Sequence, residues 1–182
     1  MIVLTDDNGF QTSLFKALSE INPNWHDLHG LIVTGSHTPD KVAEKVDLIG
    51  LARKNGLPTL GICLGMQLMA IEYACNTLHM EDATSEEFEL NGQNVVVKLP
   101  ELRVGMKEVN GKMESHWHNY TVSPAYPWDK DFDLTWSETY IEEMRHKKHK
   151  FFLGVQYHPE YQSSKDDPHP VLKEFLTACK NN

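Results

Sequence analysis

The stretch L-P-T-L-G-I-C-L-G-M-Q-L-M-A-I-E-Y, Leu57 to Tyr73, decides how the rest of the chain is read. Pro58 to Ile62 is short and apolar, the pattern of a buried strand, and from Leu64 to Tyr73 the residues Leu68, Ala70 and Ile71 recur at helical spacing. A strand that passes straight into a helix through G-x-C-x-G is the thiol form of the nucleophile elbow. Gly61 and Gly65 belong there because the backbone at such a tip is strained and side chains two residues to either side would strike the turn or the neighbouring strand. Cys63 is then expected to point outward at the carboxyl end of a sheet. The first N–H groups of the following helix lie beside it, where they favour a thiolate and can hold an oxyanion. A cysteine in an apolar stretch is more often a small buried hydrophobe, so the catalytic reading draws its weight from further down the chain.

That weight comes from G-V-Q-Y-H-P-E, Gly154 to Glu160. A thiol attacking an amide carbonyl needs a base for its proton, and the same group must later protonate the departing amine. His158 can do both near neutral pH. Glu160, two residues on, can accept the other ring N–H and fix the tautomer, as the acid does in a Ser-His-Asp triad. Cys63, His158 and Glu160 are therefore the expected catalytic triad.

Together, G-I-C-L-G-M-Q at Gly61 to Gln67 and G-V-Q-Y-H-P-E resemble the two motifs of class I, triad-type glutamine amidotransferases. A-T-S-E-E-F at Ala83 to Phe88 and H-P-V-L-K-E-F at His169 to Phe175 are similar to the amidotransferase domain of CTP synthase, here as a stand-alone domain. The resemblance runs from Gly30 onward. It implies a flavodoxin-like α/β fold and hydrolysis of the γ-amide of L-glutamine, or of a γ-glutamyl conjugate, through a Cys63 thioester. An oxyanion hole is implied at the N–H of Leu64 and in the T-G-S-H-T turn, with Gly35 and Ser36. There the CTP synthase branch has two glycines, and Ser36 would be strained if its position needs φ > 0.

The same resemblance implies substrate contacts from Gln67 and from Glu87, the latter to the substrate ammonium. S-H-W-H-N-Y-T-V-S-P, Ser115 to Pro124, aligns with R-H-R-H-R-Y-E-V-N-P through His116, His118, Tyr120 and Val122. Its arginines are replaced by Ser115, Trp117 and Asn119. The cation expected on the substrate α-carboxylate is absent, which leaves backbone N–H groups near Ser115 to Trp117 with His116 as the expected substitutes. Trp117 lies where it could close over a substrate.

Composition narrows the alternatives. At 182 residues, with 40% hydrophobic and 24% charged residues, the chain suits one globular domain spanning 1–182. A net charge of −9 argues against nucleic acid as a partner. The basic run Arg145 to Lys150 reads as a solvated hairpin tip. No apolar stretch approaches membrane-spanning length, and the first residues read as a strand rather than a signal peptide. Three cysteines, Cys63, Cys75 and Cys179, fit reduced thiols in the cytoplasm. H-x-H at His116 and His118 lacks a third ligand at sensible spacing, so neither a metal nor a cofactor is expected.

Met1 to Leu4, Gly30 to Thr34 and Pro58 to Ile62 read as parallel strands alternating with helices over Phe10 to Ile21 and Asp40 to Asn55, the latter capped by Thr38 or Asp40. Between Asn22 and His29 the family normally places another strand. An edge lost or shrunk to Trp25 to Leu28 would expose apolar surface and favour a homo-oligomer or another partner. Cys75 to Gly92, with Glu86, Glu87 and Glu89, reads as the glutamine-side wall of the site. Short strands follow at Val95–Leu99, Leu102–Val109, Met113–His118, Tyr120–Ser123, Leu134–Ser137, Tyr140–Met144 and Phe151–Tyr157, expected as antiparallel additions to a mainly parallel sheet flanked by helices. A helix over Pro168 to Cys179 closes the chain. Without a phosphate loop or room for a synthase domain, the chain is expected to be a glutaminase component passing ammonia to a separate synthase or a stand-alone hydrolase of γ-glutamyl conjugates. A catalytically silent regulatory module of the same fold is the reading from a different class.

Overall fold

The computed structural model describes residues 1–88 and 91–182, so Glu89 in the expected wall of the site lies outside the described residues. In chain order the elements are β1 (Ile2–Leu4), α1 (Asn8–Ile21), β2 (Leu31–Val33), α2 (Val42–Lys54), β3 (Thr59–Ile62), α3 (Leu64–Asn76) and β4 (Ala83–Ser85). After them come β5 (Gln93–Val109), β6 (Lys112–Val122), β7 (Phe132–Ser137), β8 (Tyr140–His146), β9 (Phe152–Val155) and α4 (Pro170–Lys180). The main sheet runs β1-β2-β3-β9-β8-β7; its first four strands are parallel, and β8 and β7 are antiparallel additions. Among the described residues no helix is long and apolar enough to cross a membrane.

Alternation along the strands divides the core. Ile32, Leu60, Ile62 and Leu153 face α1 and α4, meeting Leu14, Leu18, Leu172 and Phe175. Leu31, Val33 and Phe152 face α2 and α3. Helix α3 is buried from Leu64 to Ala74, polar Gln67 and Glu72 included. Its other side is covered by a second sheet, β4-β5-β6, through Val95, Val96 and Val122. A helix between two sheets has no solvent face, which is why its amphipathic signal is faint. Glu72, buried on α3, is held by Arg53 of α2 through bonds of 2.7 and 2.9 Å.

The second sheet corrects the expectation that all later strands extend the first. Of the later strands β7 and β8 are antiparallel additions to it, whereas β9, expected as another, inserts parallel to β3. Val95–Leu99 and Leu102–Val109 merge into β5, whose pairing register shifts between Lys98 and Arg103, and the next two expected segments merge into β6. Helix α2 also differs, because Lys41 precedes it at φ 48° and no side chain caps it. In α1, Asp7 is the cap, its Oδ1 accepting the Gly9 N–H at 2.8 Å.

Between α1 and β2, where every residue is described, no strand forms; Trp25–Asp27 is a single 3₁₀ turn, and β1 is the sheet's edge. The consequence is topological. β1 to β2 and β2 to β3 step in the same direction across the sheet, yet α1 and α2 cover opposite faces. The two crossovers therefore have opposite hands, and one departs from the right-handed rule. An additional edge strand after α1 would carry the chain outward first and remove the conflict.

Candidate active site

Parallel neighbours end side by side. Strands β3 and β9 pair Gly61 with Gly154 and Ile62 with Val155, so the residues that follow them emerge at one end of the sheet. The Cys63 N–H donates to the Val155 carbonyl at 2.8 Å, fixing the tip of the elbow against β9. Cys63 itself sits at φ 53°, ψ −105°, a costly backbone for a residue with a Cβ. The flanking glycines make the turn possible: a Cβ on Gly65 would lie 2.1 Å from the Val33 carbonyl oxygen, and one on Gly61 would lie 2.6 Å from the Gly65 carbonyl carbon.

His158 follows β9 on an irregular segment that leads into a 3₁₀ turn, Pro159–Tyr161, rather than at the strand's last residue. Its Nδ1 is 2.8 Å from Glu160 Oε1, and both side chains are buried. The backbone N–H of His158 donates to the Ser115 carbonyl at 2.8 Å. The ring lies on Phe10, with centroids 4.8 Å apart and planes 8° apart, and its Cε1 faces Gly35, where a Cβ would come within 2.9 Å. Its Nε2 is buried without a hydrogen-bond partner among the described residues. Burial alone would lower the imidazole's pKa; the adjacent Cys63 sulfur and then Glu160 outweigh it and raise the value to about 10. An imidazole that keeps its proton beside the sulfur is the acid that a departing amine requires.

A cleft of about 90 Å³ opens over Cys63. Ser36, Leu64, Gln67, Glu87 and Trp117 of the expected site residues line it. Leu64 is the first residue of α3, so its N–H has no carbonyl within the helix to bond. Ser36 keeps a negative φ, so the expected strain is absent, and its Oγ accepts the Thr38 N–H at 3.1 Å. Gln67 is buried and engaged: its Nε2 donates to the Tyr120 carbonyl at 3.0 Å and to Gln156 Oε1 at 3.3 Å. Glu87 is half-buried, and burial raises its pKa.

Ser115 and His116 stand off the cleft. The Ser115 N–H donates to Gln162 Oε1 at 2.8 Å. His116 turns away to Glu142, Nε2 to Oε2 3.0 Å, and Glu142 also receives Arg103 at 2.6 Å. Strand β6 is the edge of the second sheet, and this edge is laid against the catalytic end of the first. Its carbonyls at Ser115 and Trp117 face the His158 N–H and, at 3.8 Å, the Cys63 sulfur. Among the described residues no group of three or more His, Cys, Asp or Glu side chains is placed to hold a metal ion.

Further residues that were not among the expected site residues lie here. Gln156, two residues before His158, is fully buried and donates from Nε2 to Cys63 Sγ at 3.7 Å. His37 packs between Phe10 and Trp117, at 5.1 and 4.9 Å between centroids. His118 lines the cleft. Gln156 lies inside the G-V-Q-Y strand and could have been found by its position; nothing in the sequence joins Phe10 to His158.

The thiol on its strained elbow and the buried His158–Glu160 pair thus lie together at the carboxyl end of a parallel β-α sheet. The chain belongs to the Glutamine amidotransferase class-I family, whose model matches residues 6–178. Among curated proteins it is similar to the CTP synthase of Aquifex aeolicus, 32% identical over 193 residues and covering 88% of this chain. The CTP synthase of Methanoculleus marisnigri is 35% identical over 207 residues and covers 92% of this chain. The chain spans 36% and 39% of the lengths of these two relatives. In fold it matches a Trypanosoma brucei CTPS glutaminase domain with bound acivicin, at TM-score 0.87 and 22% identity, covering 100% of this chain and 93% of that one. A putative GMP synthase subunit from Thermoplasma acidophilum matches at TM-score 0.65 and 19% identity, over 99% of this chain and 93% of that one.

Proposed function

We propose that the chain hydrolyses the γ-amide of glutamine, or of a γ-glutamyl conjugate, with Cys63 as nucleophile. The observation that carries this reading is the Cys63 elbow beside the buried His158–Glu160 pair. Sγ attacks the γ-carbonyl carbon, and the oxyanion forms near the Leu64 N–H and the Gly35–Ser36 turn. His158 passes a proton to the departing nitrogen, the C–N bond breaks, and a glutamyl thioester remains on Cys63. Water, deprotonated by His158, attacks the thioester and releases the acid. Gln156 and the Trp117 carbonyl hold the sulfur in place, and Phe10 and Glu160 hold the imidazole. The three unpaired thiols suit a reducing, cytoplasmic setting. The test is glutamate and ammonia release from glutamine and γ-glutamyl conjugates, with Cys63→Ser as control. Release by the native chain and none by the variant supports the reading; release unaffected by the variant rejects it.

One observation favours a glutaminase that hands its ammonia to a synthase. On the outward face of the β5–β6 hairpin, Leu102, Val104, Met106, Met113 and Trp117 are all about half exposed, where a solvated sheet face would be polar. The strip reaches the cleft through Trp117. A synthase docked on it would lie over the point of ammonia release, and turnover would rise when that partner is added.

A further inference from the structure

Among the described residues, the wall of the cleft carries no fixed cation. Glu87 is the one carboxylate among the described lining residues, and no lysine or arginine accompanies it there. Arg103 is committed elsewhere, to Glu142 at 2.6 Å and Glu138 at 3.6 Å. Of the backbone donors expected near Ser115 to Trp117 to replace a cation, the Ser115 N–H is taken by Gln162.

His118 adds a second, independent observation. Its Nδ1 lies 2.8 Å from the Tyr120 carbonyl, which only accepts, so Nδ1 carries the proton and Nε2 is a bare acceptor. That Nε2 is buried and has no partner among the described residues, although His118 lines the cleft. Burial holds the ring's pKa at about 3, so protonation does not convert Nε2 into a donor near neutral pH. At the rim, the indole of Trp117 tilts against His37 and offers an uncharged surface.

A free amino acid brings an ammonium and a carboxylate. The ammonium suits Glu87, whereas the carboxylate would be desolvated with no cation to offset the cost. A neutral amide in its place supplies an N–H donor for His118 and has no charge to desolvate. We propose that the preferred substrate is a glutamine whose α-carboxyl is itself in amide linkage, as a carboxamide or a peptide bond, with its α-ammonium on Glu87 and its amide N–H on His118 Nε2. This rests on the Cys63 amidase reading above. The chemistry is unchanged: the γ C–N bond breaks, ammonia leaves with the proton from His158, and water yields glutamate with its α-amide intact.

The test compares kcat/KM for L-glutamine, L-glutamine α-amide and L-glutaminylglycine, with products assigned by NMR so that γ- and α-amide cleavage are separated. The inference requires about tenfold or greater preference for the α-masked compounds, which is about 1.4 kcal/mol. It also requires that His118→Phe erode this preference mainly through KM, and that Trp117→Arg shift it toward L-glutamine. Cys63-dependent turnover of L-glutamine as efficient as that of the masked compounds overturns the inference and leaves the amidase reading standing. Absence of Cys63-dependent turnover for all three compounds overturns both.

Discussion

The imidazole of His158 lies almost flat on the ring of Phe10, with centroids 4.8 Å apart and planes 8° apart. Phe10 comes from α1, the helix at the far end of the chain from the H-P-E segment. It covers one ring face, while Glu160 meets the ring edge at Nδ1. Phe10→Leu preserves apolar volume and loses the flat support, so kcat should fall about tenfold with KM little changed. Steady-state kinetics on a variant with unchanged circular dichroism checks this; an unaltered kcat would reduce Phe10 to core packing.

Glu160 fixes the tautomer and helps raise the pKa of His158. Glu160→Gln removes the charge and keeps the shape. The expected loss in kcat is about 100-fold or more, by analogy with the acid of a serine triad. Single-turnover acylation should slow in parallel, because the defect lies in the imidazole.

The elbow glycines differ from an ordinary turn glycine in a measurable way. Gly56 has φ 67° and nothing within 4 Å of its Cβ position, so Gly56→Ala should cost about 1 kcal/mol in backbone strain alone. Gly65→Ala would drive a methyl group to 2.1 Å from the Val33 carbonyl oxygen and should cost about 3 kcal/mol or more. Urea unfolding of both variants gives the comparison.

Acid should weaken the fold before the carboxylates titrate. Burial holds His118 at about 3 and His146 at about 4, whereas unfolded imidazoles titrate near about 6.5. Below that value the unfolded chain binds protons that the folded chain refuses, so stability falls as pH drops. For His118 the slope approaches about 1.4 kcal/mol per pH unit. His158 has the opposite sign: its raised pKa contributes stability that is complete below about 6.5 and is lost as pH rises through about 10. Urea midpoints between pH 7 and pH 5 should decline, and His118→Gln should flatten the decline.

The elbow, the H-P-E segment and the β-α alternation were legible because each is local: strand-to-helix punctuation, glycine spacing and apolar periodicity act within a few residues. The helices α1 and α4 likewise show their buried faces in sequence, with Phe10, Leu14 and Leu18 in one and Leu172, Phe175 and Leu176 in the other. Partition of the later strands was not legible. Whether β5 joins the main sheet or forms another depends on what covers α3, a long-range matter. His116 and Trp117 were expected at the substrate together, yet neighbours on a strand face opposite ways, and His116 is drawn to Glu142 and Arg103. His118 and Trp117 reach the cleft together because it runs along the edge of β6.

The most direct test of the central claim is intact-mass and peptide mass spectrometry after exposure to 6-diazo-5-oxo-L-norleucine and to its α-amide, with Cys63→Ala as control. The account predicts one adduct, on Cys63 and not on Cys75 or Cys179, absent from the variant and slowed in His158→Ala. An unmodified Cys63 in a folded protein, or equal labelling of all three thiols, would contradict an activated nucleophile in a glutamyl pocket.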